Sequence, residues 1–402
     1  MEPSPNPTRR RATGALAFTA ASASRIFGAN GAIRIGCIGA GGRAQALLRN
    51  IERIPNARIA AVCDVWTENL EKAKQLAGPA AFATRDYRDL LARQDVDAVI
   101  IGAPDHQHVP LTSAACRAGK DVYVEKPLTH SRGEEQAVLL AVRETGRIVQ
   151  VGTQQRSMPH MKKSRDLVLA GKIGKVHKAH ITWNRNAPRA AQRYQIDPRT
   201  VDWASWLGPA RAQSFDPYRF RQWRWFSDFG GGIFTDLMVH QIDIVHWILN
   251  LQHPASAASI GDWFSAKGIW ETPDTVQTIL RYPESEVQVY FEGTFSNARN
   301  AAMIELMGSD GTLYLDRGRY ELYPETRTNK FSYEEWVLGD GGRGADFYAK
   351  PNGELLHLTD WVEAIRARRQ PVAPVEAGVG SAAAAHLANQ ALRSGQVAKW
   401  SA

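Results

Sequence analysis

At 402 residues the chain exceeds what a single hydrophobic core holds, which predicts two domains with a cleft between them. Hydrophobic residues at 44% and charged residues at 22% are ordinary for a packed soluble protein and exclude extensive disorder. The net charge of +8 comes from Lys and Arg scattered among 41 acidic residues, not from a basic stripe, so no nucleic-acid partner is indicated.

Residues 1–32 read as a signal segment or disordered arm. Arg9, Arg10 and Arg11 precede a mildly apolar run at 13–23, too short to span a bilayer, and Ala21-Ser22-Ala23 offers a small-residue cleavage pattern. The arginines suggest twin-arginine export to the periplasm or beyond, although Ala12 and Thr13 replace the bulky apolar residues usual after the pair. The alternative is an uncleaved arm on a cytoplasmic protein. No segment reaches transmembrane length.

Residues 33–152 read as a Rossmann domain. A buried strand at 32–38 runs into Gly39-Ala40-Gly41-Gly42-Arg43-Ala44, and an apolar helical pattern follows through Leu47, Leu48 and Ile51. The turn fits G-x-G-x-x-G/A: Gly39 makes the tight turn, Gly41 lets the backbone approach a pyrophosphate, and Ala44 sits where helix meets sheet. A second strand at 57–63 ends at Asp64, 23 residues past Gly41, where a carboxylate accepts from the adenosine ribose hydroxyls and repels a 2′-phosphate. NAD is therefore expected over NADP, with a helix N-cap as the bland alternative for Asp64. A further apolar strand at 97–102 leads into Pro104-Asp105-His106-Gln107-His108, and a short one at 122–124 into Glu125-Lys126-Pro127. The alternation of strands and helices predicts a parallel sheet, with ligands beyond the carboxyl ends of its strands. Gly39, Gly41, Gly42, Arg43, Asp64, Pro104, His106, His108, Glu125 and Lys126 are the candidate cofactor neighbours. Cys37, Cys63 and Cys116 have no CxxC spacing and read as small buried hydrophobes, not as metal ligands or disulfides.

Residues 153–402 read as a second domain. Segments 176–183, 275–281, 287–292 and 302–307 carry strand patterns, the stretch after 320 is Gly-rich and hydrophilic, and 355–368 and 376–393 read as closing helices that pack back on the domains. Gly230-Gly231-Gly232 precedes Asp236-Leu237-Met238-Val239-His240.

The glycine turn, the loop from Pro104 to His108, Gly119-Lys120, Glu125-Lys126-Pro127 and the Asp-x-x-x-His helix together resemble the Gfo/Idh/MocA family of NAD(P)-dependent oxidoreductases, across nearly everything after residue 32. The resemblance implies an α/β architecture, a Rossmann domain joined to an open, mainly antiparallel sheet that covers the nicotinamide and holds a sugar or polyol. Oxidising a secondary alcohol needs a proton acceptor, and His240 is the first choice. Asp236, one turn earlier, shares its face and orients the imidazole or binds a hydroxyl; Asp243 is offered the same role from the other side. Lys126 places an ammonium against the reacting oxygen. Trp183, Trp223, Trp225 and Arg224 are candidate substrate contacts, with core packing the alternative for each tryptophan. An ordinary polar helix face and an i, i+4, i+7 metal site are the rival readings of Asp236, His240 and Asp243; no metal is expected. Some members of the family are redox-neutral NAD-dependent glycoside hydrolases, and no residue separates that reading from a dehydrogenase. A homodimer or homotetramer is expected.

Overall fold

The computed structural model describes residues 31–187, 190–338, 342–343 and 352–400, so the arginines and apolar run of the N-terminal segment lie outside the described residues. The strand-helix alternation after residue 32 builds a six-stranded sheet from β1 (Ile33–Ile38), β2 (Ala57–Cys63), β3 (Phe82–Thr84), β4 (Ala98–Ile101), β5 (Asp121–Val124) and β6 (Val149–Val151). Every pairing in it is parallel and the order is β3-β2-β1-β4-β5-β6. Helices cover both faces of such a sheet, so β1, β4 and β5 are almost wholly buried and, apart from Arg34 and Asp121, built of apolar or aromatic residues. The order reverses at β1/β4, which opens a crevice at their carboxyl ends.

The second half forms a nine-stranded sheet. Its strands are β7 (Val176–Asn184), β8 (Ser256–Asp262), β9 (Thr275–Tyr282), β10 (Val287–Thr294), β11 (Ile304–Gly308), β12 (Gly311–Leu315), β13 (Arg319–Pro324), β14 (Glu334–Val337) and β15 (Ala398–Lys399). All pairings are antiparallel except β7 with β10. Along β9 and β10 buried residues alternate with less buried ones, and the buried face packs on the helices Val239–Leu249 and Val375–Ser394. β13 and β14 occupy the stretch that reads as hydrophilic, because β14 is an edge strand, Glu-Glu-Trp-Val, that buries neither face.

The two closing helices part company. Val375–Ser394 joins the second sheet, whereas Gly353–Ala367 buries Leu358, Trp361, Val362 and Ile365 among Ile33, Leu47 and Tyr123 of the first domain. The C-terminal boundary expected at 153–402 is corrected accordingly: residues 353–367 complete the Rossmann core, because the lower face of its sheet is otherwise uncovered around Tyr123 and Ile35. The three cysteines are buried and free. Among the described residues no helix is long and apolar enough to cross a membrane.

Candidate active site

The strand-turn-helix at the crevice is built without side-chain help. Gly39 takes φ +76°, and a Cβ there would meet the Ala103 backbone nitrogen at 2.5 Å, so the turn requires glycine. Gly102 lies against Ala44, where a Cβ would come within 2.8 Å of the alanine methyl, which sets the helix Gly42–Ile51 close on the sheet. Gly41 and Gly42 are different. A Cβ on Gly41 would meet only Asn69 Nδ2, at 3.7 Å, and one on Gly42 nothing within 4 Å. No protein neighbour demands glycine at either position; the bare backbone leaves room for something else. Gly41 is also the N-cap of a helix with no side-chain cap and no acid in its first turn, so its leading N–H groups are available to an anion.

Those residues and Asp64 line a cavity of ≈ 340 Å³ that also takes in Pro104. Asp64 is buried, accepting from the Trp66 N–H at 2.8 Å and Asn69 Nδ2 at 3.3 Å, and burial pushes its carboxyl up to about 6. It is not the cap of the helix Thr67–Ala77, whose N-cap is Trp66 without a side-chain bond, and it faces the cavity. A pyrophosphate at the uncapped helix and a ribose at Asp64 fit this cavity, and nothing in its wall conflicts with them.

A second cavity, also ≈ 340 Å³, adjoins the first through Arg43, Gly102, Ala103, Trp223 and Arg224. Lys126, after β5, and Asp236, from the other domain, meet here: Nζ donates to Asp236 Oδ1 at 3.0 Å and to its backbone oxygen at 2.7 Å. That backbone oxygen belongs to the π-turn Phe234–Met238, just before the helix Val239–Leu249. Arg224 Nε donates to the same Oδ1 at 3.0 Å. Burial alone would raise the Asp236 carboxyl, but Lys126 and Arg224 outweigh it and hold it far below the usual carboxylate range.

His240 faces the same cavity, stacked on Trp183 with ring centroids 5.2 Å apart. Its Nδ1 is buried and has no hydrogen-bond partner among the described residues. Burial, then Lys126 and Arg317, hold the imidazole well below its ordinary pKa, so it is neutral at pH 7 with an unused ring nitrogen. Glu125 receives Arg43 Nε at 2.8 Å and Gln154 Nε2 at 3.2 Å, and Arg43 also pairs with Glu354 from the helix Gly353–Ala367.

The structure brings Arg43, Glu125, Lys126, Trp183, Arg224, Asp236 and His240 to this second cavity, together with His108. His108 is nevertheless tied at both ring nitrogens, Nδ1 to the Pro127 carbonyl at 2.6 Å and Nε2 to that of Ala103 at 2.8 Å, which fits it to hold the loop. Three expectations are corrected. His106 turns away from the cofactor crevice, its Nε2 on the Trp206 carbonyl and its ring among Trp206 and Phe229. Trp225 is a core residue, stacked on Trp270 at 4.2 Å and 1% exposed, and is no substrate contact. Asp243 is spent on Arg156 in a buried two-pronged ion pair at 2.7 and 2.8 Å, so it neither backs His240 nor completes a metal triad.

Sequence reasoning passed over Asp105, Gln154, Arg317 and Glu354, all of which line the second cavity. Asp105 lay inside a quoted loop and was findable as its one carboxylate; burial pushes it well above the usual carboxylate range despite Lys126 and Arg224. Gln154, Arg317 and Glu354 follow elements without a motif and carry no such signal.

Residues 33–153 match the family description "Oxidoreductase family, NAD-binding Rossmann fold", and residues 161–314 match the "GFO/IDH/MocA C-terminal domain". The chain is 28% identical over 293 residues to an uncharacterized oxidoreductase, YrbE, of Bacillus subtilis, covering 71% of this chain and 74% of that protein. It is 26% identical to the inositol 2-dehydrogenase of Rhizobium meliloti over 71% of this chain and 76% of that one. A shorter match, 40% identical over 104 residues, spans 24% of this chain and 23% of a glycosyl hydrolase family 109 protein of Shewanella. Among solved structures, an oxidoreductase domain protein from Kribbella flavida shares the fold with a TM-score of 0.72 and 22% identity, over 92% of this chain and 100% of that one.

Proposed function

Because the chain belongs to the GFO/IDH/MocA family of NAD-binding oxidoreductases, we propose that it transfers a hydride between NAD and a secondary hydroxyl of a sugar, polyol or sugar derivative. The observation that carries this reading is the buried, neutral His240 with an unused Nδ1, in one cavity with the Lys126–Asp236 pair and next to the uncapped glycine turn.

Gly39, Gly41, Gly42, Arg43 and Asp64 would hold the dinucleotide, whose nicotinamide would supply the hydride acceptor. His240 accepts the proton of the substrate hydroxyl, with the ring kept in plane by Trp183 beneath it. Lys126 donates to the same oxygen and stabilises its alkoxide character, and Asp236 fixes the ammonium in place. Arg224 holds Asp236 from the open side and presents its remaining N–H groups to the cavity. The inositol 2-dehydrogenase relative supports a cyclic polyol or sugar as the substrate class.

A redox-neutral reaction, glycoside cleavage or epimerisation with retained NAD, is the second reading, favoured by the match to the family 109 hydrolase. The test is the near-ultraviolet spectrum of desalted protein exposed to polyols, sugars and glycosides. Stoichiometric appearance of reduced nicotinamide with added NAD supports the dehydrogenase; product without net reduction supports the second reading; no reaction with any hydroxylated substrate sinks both.

We also propose export through the N-terminal arginines, supported by Arg9, Arg10 and the run at 13–23. Replacing Arg9 and Arg10 by lysine should retain the protein in the cytoplasmic fraction, and an unchanged distribution refutes the route. Assembly into a homo-oligomer is supported by Ile260 and Ile279 exposed on the second sheet, and light scattering on the purified chain checks it.

A further inference from the structure

A third cavity, ≈ 400 Å³, shares no lining residue with the two catalytic ones. Four segments wall it: the loop after Pro127, the stretch from Ser227 through the triglycine loop before the π-turn, the loop at Thr272, and the last turns of the helix Val375–Ser394. Arg132 and Arg393 face it beside Asn389 and His386, both of which are buried, and no carboxylate lines it among the described residues. Arg132 is positioned by Gln390 Oε1 at 3.0 Å and lies 4.7 Å over the Trp400 ring. The surroundings are positive enough to act on His386, whose imidazole is held down to about 3 by burial and then by His130, Arg393 and Arg132. A concave wall with two guanidiniums and no carboxylate among its described lining residues, Glu134 standing behind His130 and Ser131, matches a doubly charged oxyanion, since Arg presents paired N–H groups to phosphate oxygens. The volume exceeds what a bare phosphate fills and is of the size that takes a small metabolite.

We propose that this cavity binds a small phosphorylated metabolite, its phosphate clamped by Arg132 and Arg393 and supported by the second amide N–H of Asn389. The site touches the catalytic machinery without belonging to it. Asn389 Nδ2 donates to the Gly231 carbonyl at 2.8 Å, the Gly231 N–H donates to Thr235 Oγ1 at 2.9 Å, and Thr235 adjoins Asp236.

The test is calorimetric titration of the full chain, saturated with NAD so that the glycine turn is occupied, first with inorganic phosphate and then with glucose 6-phosphate. Both bind, the ester more tightly. Arg393→Glu and Arg132→Gln each weaken both by about tenfold or more, the loss of a charge-assisted hydrogen bond, while NAD affinity is unchanged. Arg393 is exposed, so its reversal leaves folding intact and carries the test even where Arg132→Gln, which strips Trp400 of its cover, loosens the C-terminus. Equal affinity for the two probes overturns the assignment to an ester. No heat from either probe, or wild-type affinity in both variants, overturns the site.

Discussion

The two adjoining catalytic cavities are made in opposite ways. The one around Gly39, Gly41 and Asp64 has one wall of main chain from a short stretch of sequence, closed by side chains as far off as Trp206 and Arg224, and the essential feature of that wall is what is missing, a Cβ and a helix cap. The one around His240 is shaped by side chains from widely separated segments, each holding another: Arg224 on Asp236, Asp236 on Lys126, Trp183 under His240. A backbone cavity tolerates change in everything except bulk. A side-chain cavity fails by chemistry, because removing one member leaves a buried partner without its counter-charge.

The sharpest way to break that contrast is His240→Ala. Turnover should fall by roughly two to four orders of magnitude while NAD affinity is kept, as measured by steady-state rates and a binding titration on the same preparation. Wild-type turnover would remove His240 from the chemistry and leave the second cavity without a base. Next in size, Trp225→Ala should cost about 3–5 kcal/mol in urea unfolding with KM unchanged, since the ring is core packing against Trp270. A shifted KM in that variant would return Trp225 to the substrate wall. Gly41→Ala should leave the melting temperature alone, because the added Cβ meets only Asn69 Nδ2, at 3.7 Å, yet weaken NAD by roughly tenfold to a hundredfold. A loss of stability instead would mean that the glycine serves the fold.

The smallest effect separates the cavities by pH. The raised Asp64 carboxyl takes up its proton as pH falls through about 6, and NAD that hydrogen-bonds to the carboxylate should loosen by up to about tenfold one unit below that value. In the free protein the sign is the reverse: a carboxyl with a raised folded-state pKa favours the fold most when protonated, and that contribution is lost as pH rises through about 6. His240 is shifted the opposite way, well below its ordinary value by burial and then by Lys126, so turnover at saturating NAD should not follow the acid limb of binding. A shared acid limb for binding and turnover would contradict the assignment. Asp64→Asn should abolish the pH dependence of binding alone.

The same contrast explains what was legible. Four of the six strands of the first domain could be read because they are mostly apolar and the glycine turn is contiguous, whereas β3 and β6, three residues each, are too short to show a pattern. Lys126, Asp236 and His240 were legible through motifs. Their surroundings were not: nothing in a linear pattern distinguishes Trp183, which faces the cavity, from Trp225, which does not, and Glu354 reaches Arg43 from a helix more than three hundred residues downstream. Asp243 sat on the expected periodicity, but the π-turn and a buried Arg156 decided its direction.

The return of the helix Gly353–Ala367 to the first domain means that the polypeptide passes between the domains and comes back, anchoring at Trp361 before leaving again for Val375–Ser394. Three covalent crossings in place of one restrict how far the halves can swing apart. So laced together, the halves are expected to open only narrowly and to release a bound dinucleotide slowly. The lacing also sets where the chain can be cut: a fragment ending near residue 152 would leave the hole that Trp361 fills, so a stable isolated nucleotide-binding domain would need residues 353–367 grafted back onto it.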